Sequence, residues 1–307
     1  MYILFVILLN VIAPVFLLIG LGAWLHRKFQ MDLGTLSKLT TYLLMPAVSF
    51  LNIYESNLEG EAVLDILSFL LLQSGCLILL TYAVAKLSGW ERGLSATFQN
   101  SVVLPNSGNF GLPVSQAVFA NNPLGLSVQV IVLIYQNLLT YTYGYLNSVS
   151  VNAKGWQVLQ EFLKNPICYA LLLGLGFNTL DLELPDFAGR PLEYLGNAFF
   201  AVALVTLGAQ SAHLKIARLN WPLVLSLAGR CIAAPVIAYF IITLLGIEGT
   251  VAQALLIASS FPVSRNSALF ALEHNNHPEY AAQAVILSTL LSCVTVTLVV
   301  YAAKMLF

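Results

Sequence analysis

The stretch LPNSGNFGLPVSQ, residues 104 to 116, decides how this chain folds. It places two prolines, two asparagines and two glycines inside an apolar run that begins near Leu94. A proline lacks the backbone donor and clashes with the carbonyl four residues earlier, so a helix that starts near Leu94 ends here. About eleven helical residues rise about 16 Å, which is roughly half of the hydrocarbon core of a bilayer. The stretch therefore predicts a helix that breaks near the middle of a membrane.

The composition around this break is that of a membrane protein. Of the 307 residues, 59% are hydrophobic and only 9% are charged, whereas soluble domains carry about 25% charged residues. Windows of about 20 apolar residues predict ten membrane-spanning helices. They lie at about 3–25, 36–54, 63–88, 94–119, 125–147, 166–180, 192–212, 221–245, 250–272 and 280–303. The first lacks a basic segment and a cleavage site, so we interpret it as a retained helix.

The basic residues predict the orientation of these helices. If the N-terminus lies outside, the odd-numbered loops face the cytoplasm and carry nine of the 13 Lys and Arg residues. These nine are Arg27, Lys28, Lys38, Lys86, Arg92, Lys154, Lys164, Lys215 and Arg218. Because cytoplasmic loops are enriched in basic residues, we expect a multi-pass protein of the plasma membrane with both termini on the outer side.

Two pairs of similar segments suggest that the chain is a duplication. IGLGAW (19–24) resembles LGLGFN (173–178) at an offset of 154, and PNSGN (105–109) resembles PVSRN (262–266) at an offset of 157. Each half would hold five spans, and since five is odd, the second half would enter the membrane from the opposite side. The prediction is an all-α fold of two inverted five-helix repeats, 1–151 and 165–307, joined by a cytoplasmic connector, 152–164.

Span 9 repeats the break of span 4, at Pro262 to Ser267. Backbone groups freed at this depth must be buried in protein or line a wet cavity. A half-helix that begins after such a break points its amides and its positive dipole end at the cavity, which suits an anion. Asn106, Asn109 and Asn266 supply amide groups beside it. The sequence therefore predicts an anion site at the two breaks, whereas a single kinked helix is the simpler alternative for either break alone.

Two arginines lie inside predicted spans, and an intramembrane arginine is by default a functional-site hypothesis. Arg265 lies in the break of span 9, where it either contacts substrate or faces a cavity wall. Arg230 lies about nine residues into span 8. It is a candidate either for a structural cation that binds freed carbonyls or for a cation that attracts the anion. The middle of each span holds no Asp or Glu, which leaves open coupling through the membrane potential or through ions on backbone carbonyls.

Other function classes lack their sequence features. An intramembrane enzyme would need a Gly-x-Ser-x-Gly nucleophile, a His-Glu-x-x-His zinc site or paired aspartates within spans, and none is present. The histidines and cysteines show no metal-ligand spacing, so we expect no catalytic residue, metal or cofactor. We also expect no nucleic-acid partner. A membrane sensor that binds a ligand in the same cavity remains an alternative, because the sequence distinguishes it poorly from a transporter.

Several motifs are similar to those of the auxin efflux carrier family, over nearly the whole chain. LPNSGNFGLPV (104–114) resembles the family's signature of span 4, and FALEHNNHP (270–278) resembles the stretch after the break of span 9. The resemblance implies that Asn106 contacts substrate and that Gly111 and Pro113, with Pro105 and Pro262, form the helix crossover. In span 5 it implies substrate-facing roles for Gln136 and Tyr141.

The resemblance also implies an architecture and an activity. Discontinuous helices 4 and 9 would cross, spans 1, 2, 6 and 7 would form a scaffold, and spans 3–5 and 8–10 would move as an elevator. The implied function is secondary transport of a small organic anion such as a carboxylate. The implied partners are a second copy of the chain in a homodimer, the lipid bilayer and a coupling ion, either a proton or sodium. A sodium-coupled symporter of organic anions, of the bile acid type, is the alternative function within transporters. The chain lacks the plant carriers' long loop between spans 5 and 6, and Asn109 and Arg265 stand where those carriers have apolar residues.

Overall fold

The computed structural model describes residues 8–55, 60–120, 122–148, 166–212 and 219–307. Within these ranges the regular structure is helical, apart from one isolated β-bridge. The predicted connector, 152–164, lies outside the described residues. In chain order the α-helices are α1 (Ala13–Phe29), α2 (Leu33–Leu39), α3 (Met45–Tyr54), α4 (Gly60–Leu87), α5 (Arg92–Val103), α6 (Leu112–Val118), α7 (Pro123–Leu139), α8 (Tyr145–Ser148), α9 (Pro166–Thr179), α10 (Asp186–Ser211), α11 (Trp221–Ala228), α12 (Ala234–Leu245), α13 (Gly249–Ser259), α14 (Arg265–Glu273) and α15 (Pro278–Leu306).

In the described part of the chain, five helical segments, two of which run through a π-turn, are long and apolar enough to cross a membrane. They are Ala62–Leu87, Pro123–Ser148, Asp186–Ser211, Trp221–Leu245 and Pro278–Leu306. These coincide with the predicted spans 3, 5, 7, 8 and 10. The other predicted spans fall on shorter or interrupted helices, such as α13 with 11 residues. The structure is therefore that of an all-helical, multi-pass membrane protein.

Prolines account for most of the interruptions within the helices. Five π-turns are described, at Leu8–Ile12, Thr40–Leu44, Ser107–Gly111, Thr140–Gly144 and Gly229–Ala233. Four of them directly precede an α-helix whose second residue is a proline: Pro14, Pro46, Pro113 or Pro235. Because proline offers no N–H and its ring crowds the carbonyl four residues earlier, the preceding turn widens into i→i+5 bonding.

The helices pack in two groups. In the first, α1 runs along α10, α9 runs along α3, and α10 also packs on α3. In the second, α13 packs on α7, α12 and α15, and α4 packs on α5 and α12. The two groups meet where α3 contacts α7 and where α10 contacts α6 and the π-turn Ser107–Gly111, and the candidate site described below lies near these contacts.

Glycines bring α1 and α10 unusually close together. A Cβ atom at Gly22 would overlap the carbonyl of Val205, and one at Gly208 would overlap the carbonyl of Ile19. Each helix thus contributes a glycine at the place where the backbone of the other approaches. Helices in a membrane gain little from apolar burial against each other, so close backbone packing through small residues supplies much of their association.

Candidate functional site

Two broken helices meet at the centre of the structure. After α5 and α13 end, the chain is extended at Pro105 and at Val263, and these two residues form an antiparallel bridge. The amide of Asn106 donates to the carbonyl of Pro262 at 2.8 Å, and the amide of Ser264 donates to the carbonyl of Leu104 at 2.8 Å. In such a bridge the residue at the position of Pro105 donates no N–H to its partner strand, so a proline fits there without the loss of a bond.

The bridge is locally symmetric. Exchange of the two strands relates residue 105 to residue 263, an offset of 158, and relates Asn106 to Ser264. Both of these residues directly precede a helix: Asn106 precedes the π-turn Ser107–Gly111, and Ser264 precedes α14. The Ser264 hydroxyl accepts a hydrogen bond from the amide of Asn266 at 3.3 Å, which is the usual role of a serine N-cap.

A cavity of about 130 Å³ lies where these two helices begin. It is open on one side and lined by Thr41, Met45, Pro105, Asn106, Ser107, Gly108, Asn109, Leu133, Gln136, Asn137, Thr140, Ser264, Arg265 and Asn266. Among these lining residues Arg265 alone is charged, so the wall of the cavity carries a formal charge of +1. The positive dipole ends of the two helices add to this charge.

Several polar atoms of the lining are buried without a partner among the described residues. They are Asn106 Nδ2, Ser107 Oγ and Gln136 Oε1. The Asn106 side chain is only 6% exposed, and a buried amide that makes no hydrogen bond costs about 1–3 kcal/mol. Such a cost is offset when a bound molecule supplies the missing acceptor, so the unpaired Nδ2 donor points to a ligand.

Arg265 connects this cavity to the first group of helices. Its guanidinium donates to Ser37 Oγ at 3.4 Å, and Gln210 Nε2 donates to the same oxygen at 2.8 Å. Ser37 lies on α2 and Gln210 on α10. The cationic wall of the cavity thus lies at the boundary between the two groups of helices.

Arg230 lies outside this cavity. Its side chain is 1% exposed, and it lines a separate cavity of about 10 Å³ that shares Pro105 and Gln136 with the first. Its guanidinium donates to the carbonyl of Val102 at 2.8 Å and to the carbonyl of Ser259. The sequence left open whether Arg230 is a structural cation or attracts the anion. These contacts are those of a structural cation that binds freed carbonyls.

The structure brings most of the predicted site residues together. Pro105, Asn106, Asn109, Gln136, Arg265 and Asn266 all line the 130 Å³ cavity. Pro262 contributes its carbonyl to the bridge instead. Gly111 packs against the ring of Phe261, and Pro113 lies in the first turn of α6. Tyr141 belongs to the π-turn Thr140–Gly144, and its side chain is outside the described part of the structure.

Besides Leu133, Asn137 and Thr140 of span 5, the site predicted from the sequence lacked two lining residues of span 2, Thr41 and Met45. They come from the π-turn Thr40–Leu44 and from the start of α3, a span that the sequence assigned to the scaffold. Pro46 was the available signal, because it marks the place where the helix widens. The sequence could not show which face of that turn points toward the broken helices.

Comparisons with known proteins show which family the chain belongs to. The family described as "Membrane transport protein" matches residues 7–300. The chain is 24% identical over 269 residues to an "Uncharacterized transporter" of Methanothermobacter thermautotrophicus, which covers 87% of this chain and 88% of that protein. It is 27% identical over 150 residues to "Auxin efflux carrier component 3a" of Oryza sativa subsp. japonica, and 25% identical over 150 residues to "Auxin efflux carrier component 1" of Arabidopsis thaliana.

These two plant matches are partial. Each spans 47% of this chain but only 24% of the plant protein, so they show relatedness of one segment. The family match covers almost the whole chain and includes both broken helices. The chain therefore belongs to the membrane transport protein family, the family of the auxin efflux carriers.

Proposed function

We propose that this membrane transporter carries a small organic anion, with a short carboxylate as its substrate, bound in the 130 Å³ cavity. The observation that carries the proposal is the unpaired Nδ2 donor of Asn106, which lies beside the cationic side chain of Arg265 and the starts of two helices. Amide and guanidinium N–H groups bind carboxylate oxygens through charge-assisted hydrogen bonds. The described lining contains no Asp or Glu that would repel an anion.

The size of the cavity supports a small substrate. An engineered protein cavity of about 150 Å³ holds one benzene molecule, which has six heavy atoms. A site of about 130 Å³ therefore suits an acid of similar size, such as a carboxylate of three or four carbons. Leu133 and Met45 offer the apolar contacts for its carbon chain.

The packing supports the proposed inverted repeat. Exchange of the two halves would relate span 1 to span 6 and span 2 to span 7, so a contact of spans 1 and 7 should have a counterpart between spans 6 and 2. The close pairs α1 with α10 and α9 with α3 correspond to these two contacts. The local symmetry of the Pro105–Val263 bridge also supports an inverted repeat.

The same packing favours elevator transport. The helices of spans 1, 2, 6 and 7 form the first group, which we propose as the scaffold. Each proposed repeat, 1–151 and 165–307, contributes two of these spans. The cavity has walls from both groups, with Thr41 on the scaffold side and Asn106 on the mobile side. Movement of the second group past the first would expose the bound anion to alternate sides. We propose that this occurs in the plasma membrane, in a homodimer with both termini outside.

A thermal-shift panel on the purified full chain tests the binding site. A ligand present at about 100 times its Kd stabilises the folded state by about 2.7 kcal/mol, which raises Tm by several degrees. We expect short mono- or dicarboxylates to raise the Tm of the wild-type protein and of Asn122→Ala. The Asn122 side chain bonds Thr250, away from the cavity. In Asn106→Ala the same acids should raise Tm much less. An equal shift in Asn106→Ala would contradict the assigned site.

A further inference from the structure

The ends of α5 and α13 present an unusual concentration of negative charge. The last four carbonyls of a helix have no partner within it, and its C-terminus carries about half a negative charge. Since α5 ends at Val103 and α13 at Ser259, both ends lie at the 10 Å³ cavity. Together they amount to about one negative charge, buried on the far side of Pro105 and Gln136 from the anion cavity.

Arg230 matches this charge in both amount and position. Its two terminal nitrogens donate to one carbonyl at each end, that of Val102 and that of Ser259. The arginine belongs to the π-turn Gly229–Ala233. At Gly229 an added Cβ would lie 2.9 Å from Val102, so the absence of a side chain there lets the turn approach α5. One guanidinium thus bridges the two broken helices at their C-terminal ends.

Carbonyls at such positions have a characteristic ligand in transporters with broken helices. Unwound backbone and the C-terminal ends of half-helices coordinate the coupling cation in this class of protein. We infer that Arg230 is a fixed internal cation that occupies the place of a coupling cation. This inference rests on the proposed transport function, and it identifies Arg230 as a positioning residue that holds the two breaks in register.

Two consequences distinguish a fixed cation from an ordinary structural arginine. The first is that the wild-type protein needs no alkali cation where the helices meet, because the carbonyls of Val102 and Ser259 are already occupied. The second is that loss of the guanidinium opens a cation site. Gln73 and Ser74 also line this cavity, so a vacated site would offer hydroxyl and carbonyl oxygens, which are the ligands that hard cations prefer.

The experiment compares the wild type, Arg230→Ala and Arg230→Lys by thermal unfolding of the purified full chain. Each protein is measured in NaCl, LiCl, KCl and choline chloride at one ionic strength, and in choline chloride with methylguanidinium. We expect the Tm of the wild type to be the same in all of these to within about 1 °C. In Arg230→Ala, methylguanidinium or an alkali cation at about ten times its Kd should raise Tm by about 3 °C or more.

Controls make the result specific to Arg230. Arg190→Ala removes an arginine that makes only an exposed ion pair with Asp186, so it should gain no cation response. Arg230→Lys keeps one charge but reaches the two carbonyls less well, so its response should be smaller than that of Arg230→Ala. If Arg230→Ala does not fold, the lysine variant still tests the inference through its own, smaller rise of Tm in methylguanidinium.

Two outcomes would overturn the inference. One is a Tm of the wild type that rises by several degrees in NaCl relative to choline chloride. The other is the lack of any cation response in both Arg230 variants. Because this assay uses no carboxylate, its outcome is independent of the anion site: a protein that binds no carboxylate but shows these responses would refute the proposed substrate and retain the role of Arg230.

Discussion

The backbone amide of Val263 donates to the hydroxyl of Ser288 at 3.0 Å, and this bond completes the pairing of the two helix breaks. Val263 stands opposite Pro105 at the position of the bridge where neither residue donates to the other strand. Its amide therefore needs a partner from elsewhere, and Ser288 on α15 supplies one. Both residues are fully buried.

Removal of this hydroxyl should destabilise the protein. In Ser288→Ala the amide of Val263 is left buried without an acceptor, which costs about 1–3 kcal/mol. Ser292→Ala is the matched control, because Ser292 is equally buried on the same helix but donates only to Thr289 of its own helix. We expect the Tm of Ser288→Ala in detergent to fall by several degrees more than that of Ser292→Ala. Equal losses would contradict the account of the bridge.

The contact of α1 with α10 gives a second prediction. Gly22→Ala should separate the two helices, since the new Cβ would overlap the carbonyl of Val205, and overpacking of this kind costs about 1–3 kcal/mol. Gly20→Ala lies two residues away on the same helix in open space and should be neutral or slightly stabilising. Thermal unfolding of both variants tests the prediction. A loss in Gly20→Ala as large as that in Gly22→Ala would contradict the role of the close approach at Gly22.

The positions of the two helix breaks could be predicted from the sequence for a local physical reason. Proline and glycine at 105–113 determine where a helix cannot continue, and breaks at membrane depth must line a cavity or be buried. The cavity therefore contains Asn106, Asn109 and Asn266 as expected. The bridge itself was not predictable, because the pairing of Pro105 with Val263 depends on how two distant segments meet.

The offset that the sequence suggested for the proposed repeat differs by one residue from that of the bridge. Matching prolines gave an offset of 157, whereas the bridge relates residue 105 to residue 263, an offset of 158. The bridge geometry makes Asn106 equivalent to the N-cap Ser264 and places the helix starts in register. Likewise, the sequence left the role of Arg230 open, because its partners, Val102 and Ser259, lie 128 and 29 residues away.

The charge of Arg265 gives a third prediction. Hydrogen bonds to charged groups contribute about 1.5–3 kcal/mol, so Arg265→Gln should weaken carboxylate binding about tenfold or more. Arg265→Lys keeps the charge and should lose less. Titration of the acid against intrinsic fluorescence measures the affinity of each variant. Unchanged affinity in Arg265→Gln would place the anion away from this side chain.

A fourth prediction concerns pH and the contact between Glu91 and His277. The Nε2 atom of His277 lies 2.5 Å from a carboxyl oxygen of Glu91, and its hydrogen bond lowers the pKa of Glu91 from the ordinary value of 4.5. A carboxyl group with a lowered pKa in the folded protein stabilises the fold above its unfolded pKa, and this contribution is lost as the pH falls through the folded value.

Glu91→Gln should therefore weaken the dependence of Tm on pH below about 4.5. The measurement is Tm between roughly pH 3 and 6. Glu248→Gln is a suitable control, because Glu248 also directly precedes a helix, α13, but has no histidine partner like that of Glu91 among the described residues. The prediction is wrong if Glu91→Gln keeps the acid dependence of the wild-type protein.

In the proposed function, an anion bound in the cavity at the paired helix breaks is carried across the membrane. Solute counterflow in proteoliposomes measures this directly, with a radiolabelled carboxylate that raises Tm in the thermal-shift panel. We expect the wild type to accumulate label against its unlabelled pool, whereas the rate in Asn106→Ala, although the variant folds, should be lower by a factor of about ten or more. Binding without counterflow in the wild type would indicate a sensor, and an unchanged rate in Asn106→Ala would contradict the site.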